Sequence, residues 1–264
     1  MKILNIGEYT GEIIHRLNVE GSIITNTHYS IKENNNDWHY HENLHICYVY
    51  EGGRADTLKE SQYTQKGGSI FFYHSGEKHR WTPSSIISKS ANIEVSSKFL
   101  DKYERSEDDI KNALNQNIAA KTLILKMQHE MLLNDISSSN SVHTLLLELV
   151  NDSKKIEFSA MPNWVIRLTE LLHEDWNEPT SLSYLALNVG VHPVTISKNF
   201  RKYFSCTLGE YQRRIRIEKS IELIKNSNIS LSEIAHLCGF ADQSHFIRNF
   251  KQLTGFLPKH FQKF

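Results

Sequence analysis

The chain has 264 residues, 39% of them hydrophobic, with 30 lysines and arginines balanced by 30 aspartates and glutamates. That length accommodates two ordinary domains, each able to bury a core, and with no apolar run of about 18 residues a membrane-spanning helix is excluded. The start, Met1-Lys2-Ile3-Leu4-Asn5, lacks the apolar core of a secretory signal, so a cytoplasmic protein is expected. Cys47, Cys206 and Cys238 are far apart and form no CxxC, which fits buried reduced thiols better than a disulfide framework or a zinc-cysteine site. The zero net charge hides an asymmetry: from residue 159 onward thirteen bases face nine acids, a net of +4, leaving −4 for the rest. A basic C-terminal part points towards a nucleic-acid partner.

Residues 1–97 read as strands: short segments rich in Ile, Val, Tyr, Phe and Thr separated by turn signals at Gly21, Gly52-Gly53, Gly67-Gly68 and Ser75-Gly76, the pattern of a sandwich or barrel. Glycine then disappears until Gly190. One helix is expected over 108–133. A second is expected where Val142, Leu145, Leu146, Leu149 and Val150 recur at helical spacing. The polar stretch 137–141 separates these helices, and 151–155 is the expected linker. Three regions follow: 1–97, a helical connector at 98–158, and 159–264, helical from Pro162 almost to its end.

The C-terminal region repeats itself. Ser181-Leu-Ser-Tyr-Leu-Ala-Leu-Asn-Val-Gly190 matches Ser230-Leu-Ser-Glu-Ile-Ala-His-Leu-Cys-Gly239, and Ile196-Ser-Lys-Asn-Phe-Arg201 matches Phe246-Ile-Arg-Asn-Phe-Lys251 one residue further on. Each copy offers a serine to cap a helix, completed by Glu233 as a capping box in the second copy. An alanine for close helix approach follows, then a glycine that can turn the chain sharply, then a second helix: the helix-turn-helix plan. A long helix over 208–225 joins the copies. It can set two recognition helices about 34 Å apart, one turn of B-DNA.

Residues 232–258, Ser-Glu-Ile-Ala-His-Leu-Cys-Gly-Phe-Ala-Asp-Gln-Ser-His-Phe-Ile-Arg-Asn-Phe-Lys-Gln-Leu-Thr-Gly-Phe-Leu-Pro, resemble the signature of the AraC family of transcription regulators. The resemblance covers about 160–264. It implies an all-α domain of two helix-turn-helix units that reads two adjacent major grooves of double-stranded DNA. Carried over by position, the outward residues of the first recognition helix are Val194, Thr195, Ser197 and Lys198, and those of the second are Gln243, Ser244, Ile247 and Arg248. Lys198 and Arg248 suit guanine O6/N7, Gln243 suits adenine N6/N7, and Val194 and Ile247 suit thymine methyls. Arg201, Lys202, Arg213, Arg214 and Lys251 read as phosphate contacts or solvated charges. His192, a poorer helix cap than serine, reads as a further phosphate contact.

In the N-terminal region His39, His41 and His45 are separated by even steps, which on one strand would place them on one face. Together with Gly68-x5-His74-x-Gly76-x2-His79 they resemble the two cupin motifs, His45 replacing the motif glutamate and His74 its proline. The expected fold is therefore multidomain α and β: a cupin-like β-barrel, a helical connector, and the DNA-binding helices. The family resemblance implies a small-molecule effector, in many members a sugar, with His39, His41, His45, His79 and Trp81 as its contacts. It also implies a homodimer through the connector, RNA polymerase as a partner, and activation rather than repression. The competing reading is a metal-binding cupin enzyme or metal sensor fused to a DNA-binding domain. Loss of the motif glutamate argues against the enzyme, and no catalytic residue, metal or cofactor is assigned from the sequence.

Overall fold

The computed structural model describes residues 2–30, 37–58, 61–83, 86–151 and 161–263. Its N-terminal part is a cupin-like pair of five-stranded sheets. One sheet has the order β1 (Lys2–Leu4), β4 (His39–His41), β9 (His79–Pro83), β6 (Gly53–Leu58), β7 (Ser61–Lys66). The other has the order β2 (Glu12–Val19), β3 (Ser22–Ser30), β10 (Ile87–Val95), β5 (Leu44–Glu51), β8 (Ile70–Tyr73). The sheets meet face to face through aromatic rings, Tyr29 on Trp81 at 4.9 Å and Tyr73 on His79 at 4.0 Å.

β5 is buried along nearly its whole length, which requires cover on both faces. Alternation assigns them. Ile46, Tyr48 and Tyr50 join the helix-side core, whereas Cys47 and Val49 cluster with Tyr73 on the opposite side.

The connector has α1 (Ser97–Lys102), α2 (Glu107–Gln116), α3 (Ala120–Leu133) and α4 (Ser138–Asn151). The single helix expected over 108–133 is therefore two. Asn117 is extended at φ −83, ψ 110, and its Oδ1 accepts from the Ala119 N–H at 2.7 Å, a local bond that competes with helix continuation. Nor does the polar stretch at 137–141 lie between helices, since α4 already begins at Ser138. There the Asp135 carboxylate accepts from the backbone N–H of Ser137 and from the hydroxyls of Ser137 and Ser138, so these serines open the helix instead of breaking it. The expected linker beyond Asn151 and the boundary at 158/159 lie outside the described residues.

The C-terminal part comprises α5 (Asn163–Glu174), α6 (Leu182–Val189), α7 (Pro193–Phe204), α8 (Leu208–Asn226), α9 (Leu231–Leu237), α10 (Gln243–Thr254) and α11 (Pro258–Phe261). Leu168, Leu172, Leu185, Ile196, Phe200 and Ile215 give α5 to α8 a core of their own. The second unit has none to itself: Ile221, Ile234, Phe246 and Phe250 belong to one continuous core with α3, α4, β5 and β10. α3 lies at its centre. Ala120, Leu123, Ile124, Leu125, Met127, Gln128 and Met131 are all buried, the signature of a helix covered all round. Cys47, Cys206 and Cys238 are buried and unpaired with one another, and burial pushes the Cys238 thiol up to about 12, which makes it a packing residue. Among the described residues no helix is long and apolar enough to cross a membrane.

Candidate functional site

The two repeats fold as two helix-turn-helix units, α6–α7 and α9–α10. Ser181 Oγ accepts from the Tyr184 N–H at 3.1 Å and Ser230 Oγ from the Glu233 N–H at 3.2 Å. Only this first half of the expected Ser230/Glu233 box forms among the described contacts. Ala186 and Ala235 are both buried. Gly239 has φ +68, and a Cβ there would collide with the Asn177 carbonyl oxygen. The turn of the second unit thus rests directly on the segment that precedes the first.

The repeated Asn-Phe pairs also have a local cause. Asn199 and Asn249 each donate through Nδ2 to the carbonyl four residues back, at 2.8 Å, while Phe200 and Phe250 fill the cores. His192 acts as a cap after all, its Nδ1 accepting from the Val194 N–H at 3.3 Å. Pro193 follows at the first helical position, where its missing N–H costs nothing.

On α7, Val194, Ser197 and Lys198 are exposed and Thr195 is half-buried. On α10, Gln243, Ser244 and Arg248 are exposed. Ile247, expected to face outward, is half-buried and packs on the large core, because α10 lies against α3. Among the described residues neither Lys198 nor Arg248 is held in an ion pair, so both guanine-reading candidates are available.

One cation that the sequence does not single out has a structural task. Arg216 on α8 donates to three carbonyls, Trp176 O at 3.1 Å, Glu178 O at 3.1 Å and Gly239 O at 2.7 Å. It ties the connecting helix to the start of the first unit and to the turn of the second.

Inside the β domain His39, His41, His45 and His79 come together, each 3% exposed. They do not share one strand. His39 and His41 lie on β4 and His79 opposite His39 on β9, whereas a bend at 42–43 carries His45 to β5 in the facing sheet. The His41 and His45 rings are 4.1 Å apart and those of His39 and His79 4.4 Å. Trp81 faces the same interior; its ring packs on Tyr29, and its indole N–H donates to Thr10 Oγ1 at 2.9 Å. His74 is outside the cluster, half-exposed, with Nδ1 3.0 Å from a Glu107 carboxylate oxygen. A residue absent from the motif stands beside the cluster instead: Glu94 on β10, fully buried, with Oε1 3.7 Å from His41 Nδ1. Only the pairing of β10 with β5, which sets Glu94 opposite His45, brings it there.

The β domain and the connector both touch the long helix α8 that leads into the second unit. Asn226 Nδ2 donates to Gly67 O at 3.2 Å, and Lys121 bridges to Glu218 at 2.8 Å. Beside these contacts a cleft of about 660 Å³ opens between the domains, with Gly68, Phe71, Lys121, His173, Tyr211 and Glu222 in its wall.

A two-sheet cupin-like domain coupled to paired helix-turn-helix units defines a class, the AraC-type regulators. The model of the AraC-like ligand binding domain matches residues 30–150, and a helix-turn-helix domain model matches 185–263; the chain belongs to the AraC family. It is 21% identical over 239 residues to the HTH-type transcriptional activator RhaR of Cronobacter sakazakii, covering 84% of each chain. It is likewise 21% identical over 239 residues to the activator RhaS of Escherichia coli, covering 84% of this chain and 85% of RhaS. A shorter match, 28% identical over 92 residues, relates it to the HTH-type transcriptional regulator GbdR of Pseudomonas aeruginosa; it spans 35% of this chain and only 25% of GbdR. The solved structure of ToxT from Vibrio cholerae is similar over 92% of this chain and 98% of that one, at 14% identity and a TM-score of 0.39.

Proposed function

We propose that the protein is a sequence-specific transcription regulator that binds double-stranded DNA through α7 and α10 and responds to a ligand in its β domain. The observation that carries this reading is the exposed pair of recognition helices whose unpaired Lys198 and Arg248 stand at equivalent places in the two units. Val194, Thr195, Ser197 and Lys198 read one half-site, and Gln243, Ser244 and Arg248 the other, with Ile247 at the edge of that surface. Because the two sets differ, the operator of one subunit is asymmetric.

His39, His41, His45, His79 and Trp81 are the proposed ligand contacts, and no catalytic role is proposed for any of them. The response reaches DNA through the shared core. A ligand that alters the packing of β5 and β10 alters α3 and, through it, α10, shifting the population competent to bind. RNA polymerase and a second copy of the chain are the proposed partners, with activation as the output, as in the names of RhaR and RhaS. The buried α3 is unsuited to a dimer contact, so that role falls to α2 and α4. A cytoplasmic location follows from the same function.

The test is a gel-shift series on operators selected in vitro. Affinity falls steeply with salt as counterions are released from phosphates, and competition by unrelated DNA is weak. A flat salt response, or equal affinity for all sequences, overturns the reading.

A further inference from the structure

Three hydrophobic clusters meet at the cleft of about 660 Å³ between the domains without merging. In its wall Ile70 and Leu114 pack on the large core, Ile118 and Tyr211 pack in the core of the first helix-turn-helix unit, and Phe71 packs on the cluster of Cys47, Val49 and Tyr73. Protein interiors are filled to nearly crystalline density, so open space of this size at a junction of domains is where a small molecule fits. The cleft is separate from the histidine cluster of the β domain, since His39, His41, His45 and His79 are not in its wall.

The charges along α8 show what kind of molecule. Glu218 and Glu222 stand one helical turn apart and share a single ammonium, with Lys121 Nζ 2.8 Å from Glu218 Oε1 and 3.4 Å from Glu222 Oε1. Like charges at this spacing repel, and one lysine balances only one of the two. Lys66, the other cation of the wall, is exposed at the end of β7, where solvent screens it. A third group in the same place also lacks a partner. Tyr48 on β5 is fully buried, and its hydroxyl makes no hydrogen bond. Its strand neighbour is Ile70 of the cleft wall. Burial, and with it the charges of Glu218 and Glu222, pushes the phenol well above its ordinary range, so the hydroxyl lies behind those carboxylates. A buried donor left unpaired is costly, and the polar wall is incomplete as it stands. An anion would have to displace both carboxylates from Lys121, whereas a cation meets carboxylate oxygens and the face of an aromatic ring.

We propose that the cleft is a second ligand site, which takes a small organic cation with an apolar body: the ammonium or guanidinium head on Glu218 and Glu222, the body against Phe71 and Ile118. Such an occupant touches β8, the connector and α8 at once, and α5 through Thr169 and His173. It therefore changes how the first reading unit is held against the rest of the chain. That effect on DNA rests on the regulator reading; binding of the cation rests on the cleft alone, and the two are measured apart.

Three probes with one ring system test the charge: tryptamine, its uncharged analogue tryptophol, and the anion indole-3-acetate, each titrated into the full-length protein by calorimetry. Tryptamine binds once per chain with sub-millimolar affinity. The other two bind at least about tenfold more weakly, the ratio expected of one charge-assisted contact. Glu218→Gln and Glu222→Gln each lose at least about tenfold, while Glu148→Gln, at an exposed position of α4 outside the cleft, binds as the wild type does. Amide shifts at Gly67, Gly68 and Thr169 of the wild-type protein locate the probe even where a variant fails to fold. The proposal is overturned if tryptamine does not bind, if tryptophol or indole-3-acetate binds as tightly, if both Gln variants retain full affinity, or if those three amides stay unmoved while the histidine cluster shifts. Affinity for a two-site operator with and without tryptamine is the separate readout: a change supports the coupling to DNA, and no change with the cleft occupied overturns the coupling while the binding result stands.

Discussion

Arg216→Ala tests how the two DNA-reading units are held together. Arg216 makes three hydrogen bonds from a charged donor to backbone carbonyls, at 2.7–3.1 Å. Bonds to charged groups contribute about 1.5–3 kcal/mol each when well desolvated. This guanidinium is only half-buried and its three bonds share one side chain, so the expected cost is about 2–4 kcal/mol in total. The three carbonyls then face a gap. Those of Trp176 and Glu178 belong to the segment leading into the first unit, and that of Gly239 to the turn of the second. The loss should therefore appear twice. Urea unfolding of the full chain gives the first readout. The second is affinity for a selected operator with both half-sites, compared with DNA carrying one, at a temperature where the variant is folded. Two-site affinity falls at least about tenfold while single-site affinity changes by less than about threefold. Lys in place of Arg recovers only part of this, because an ammonium lacks the planar fork. A stability change below about 0.5 kcal/mol with two-site affinity intact would refute the idea that Arg216 fixes the spacing.

Arg248→Ala is expected to weaken binding to the selected operator by about 1–3 kcal/mol and to relax preference at one base pair, as measured by competition with point-substituted operators; an equal loss on every sequence would reassign Arg248 to phosphate. Ile221→Ala removes a fully buried side chain of α8 from the core shared with the β domain and costs about 2–5 kcal/mol. Limited proteolysis should then show both domains loosening together, and an intact β domain would argue against a shared core. Burial lowers the Lys225 ammonium to about 8, so the folded state binds fewer protons than the unfolded chain between that value and the ordinary lysine pKa of about 10.4. Stability from this group rises with pH across that window and is lowest below it. Lys225→Met should stabilise the protein at pH 7, on the order of 1–3 kcal/mol, and flatten the slope, both read from urea midpoints at pH 7 and pH 9.5.

The helix-turn-helix units were legible because their signals are local. A serine cap, a small residue, a left-handed turn and a proline at a helix start act within a few residues, so the repeat carries them in plain view. His39, His41, His45 and His79 were legible as a group through their resemblance to two separate cupin motifs. Their placement was not: even spacing suggested one strand face, and the bend at 42–43 instead sent His45 to the opposite sheet. The break at Asn117 and the helical start at Ser138 turn on single side-chain bonds that periodicity does not encode. Ile247 looked outward by helical phase, yet it packs on the core that α10 shares with α3.

What the sequence determined by itself is the class of each part: strands, then a helical connector, then two copies of one DNA-reading motif. It also indicated the outward positions of the motif, of which Ile247 packs on the large core instead. Tertiary structure alone decided which parts share a core. Glu94 reaches His41 through strand pairing, Arg216 spans the two units, and the second unit packs on α3 and shares one core with the β domain while the first keeps its own core. These contacts join residues tens to more than a hundred positions apart. Their energy depends on the complementarity of surfaces that no local pattern records.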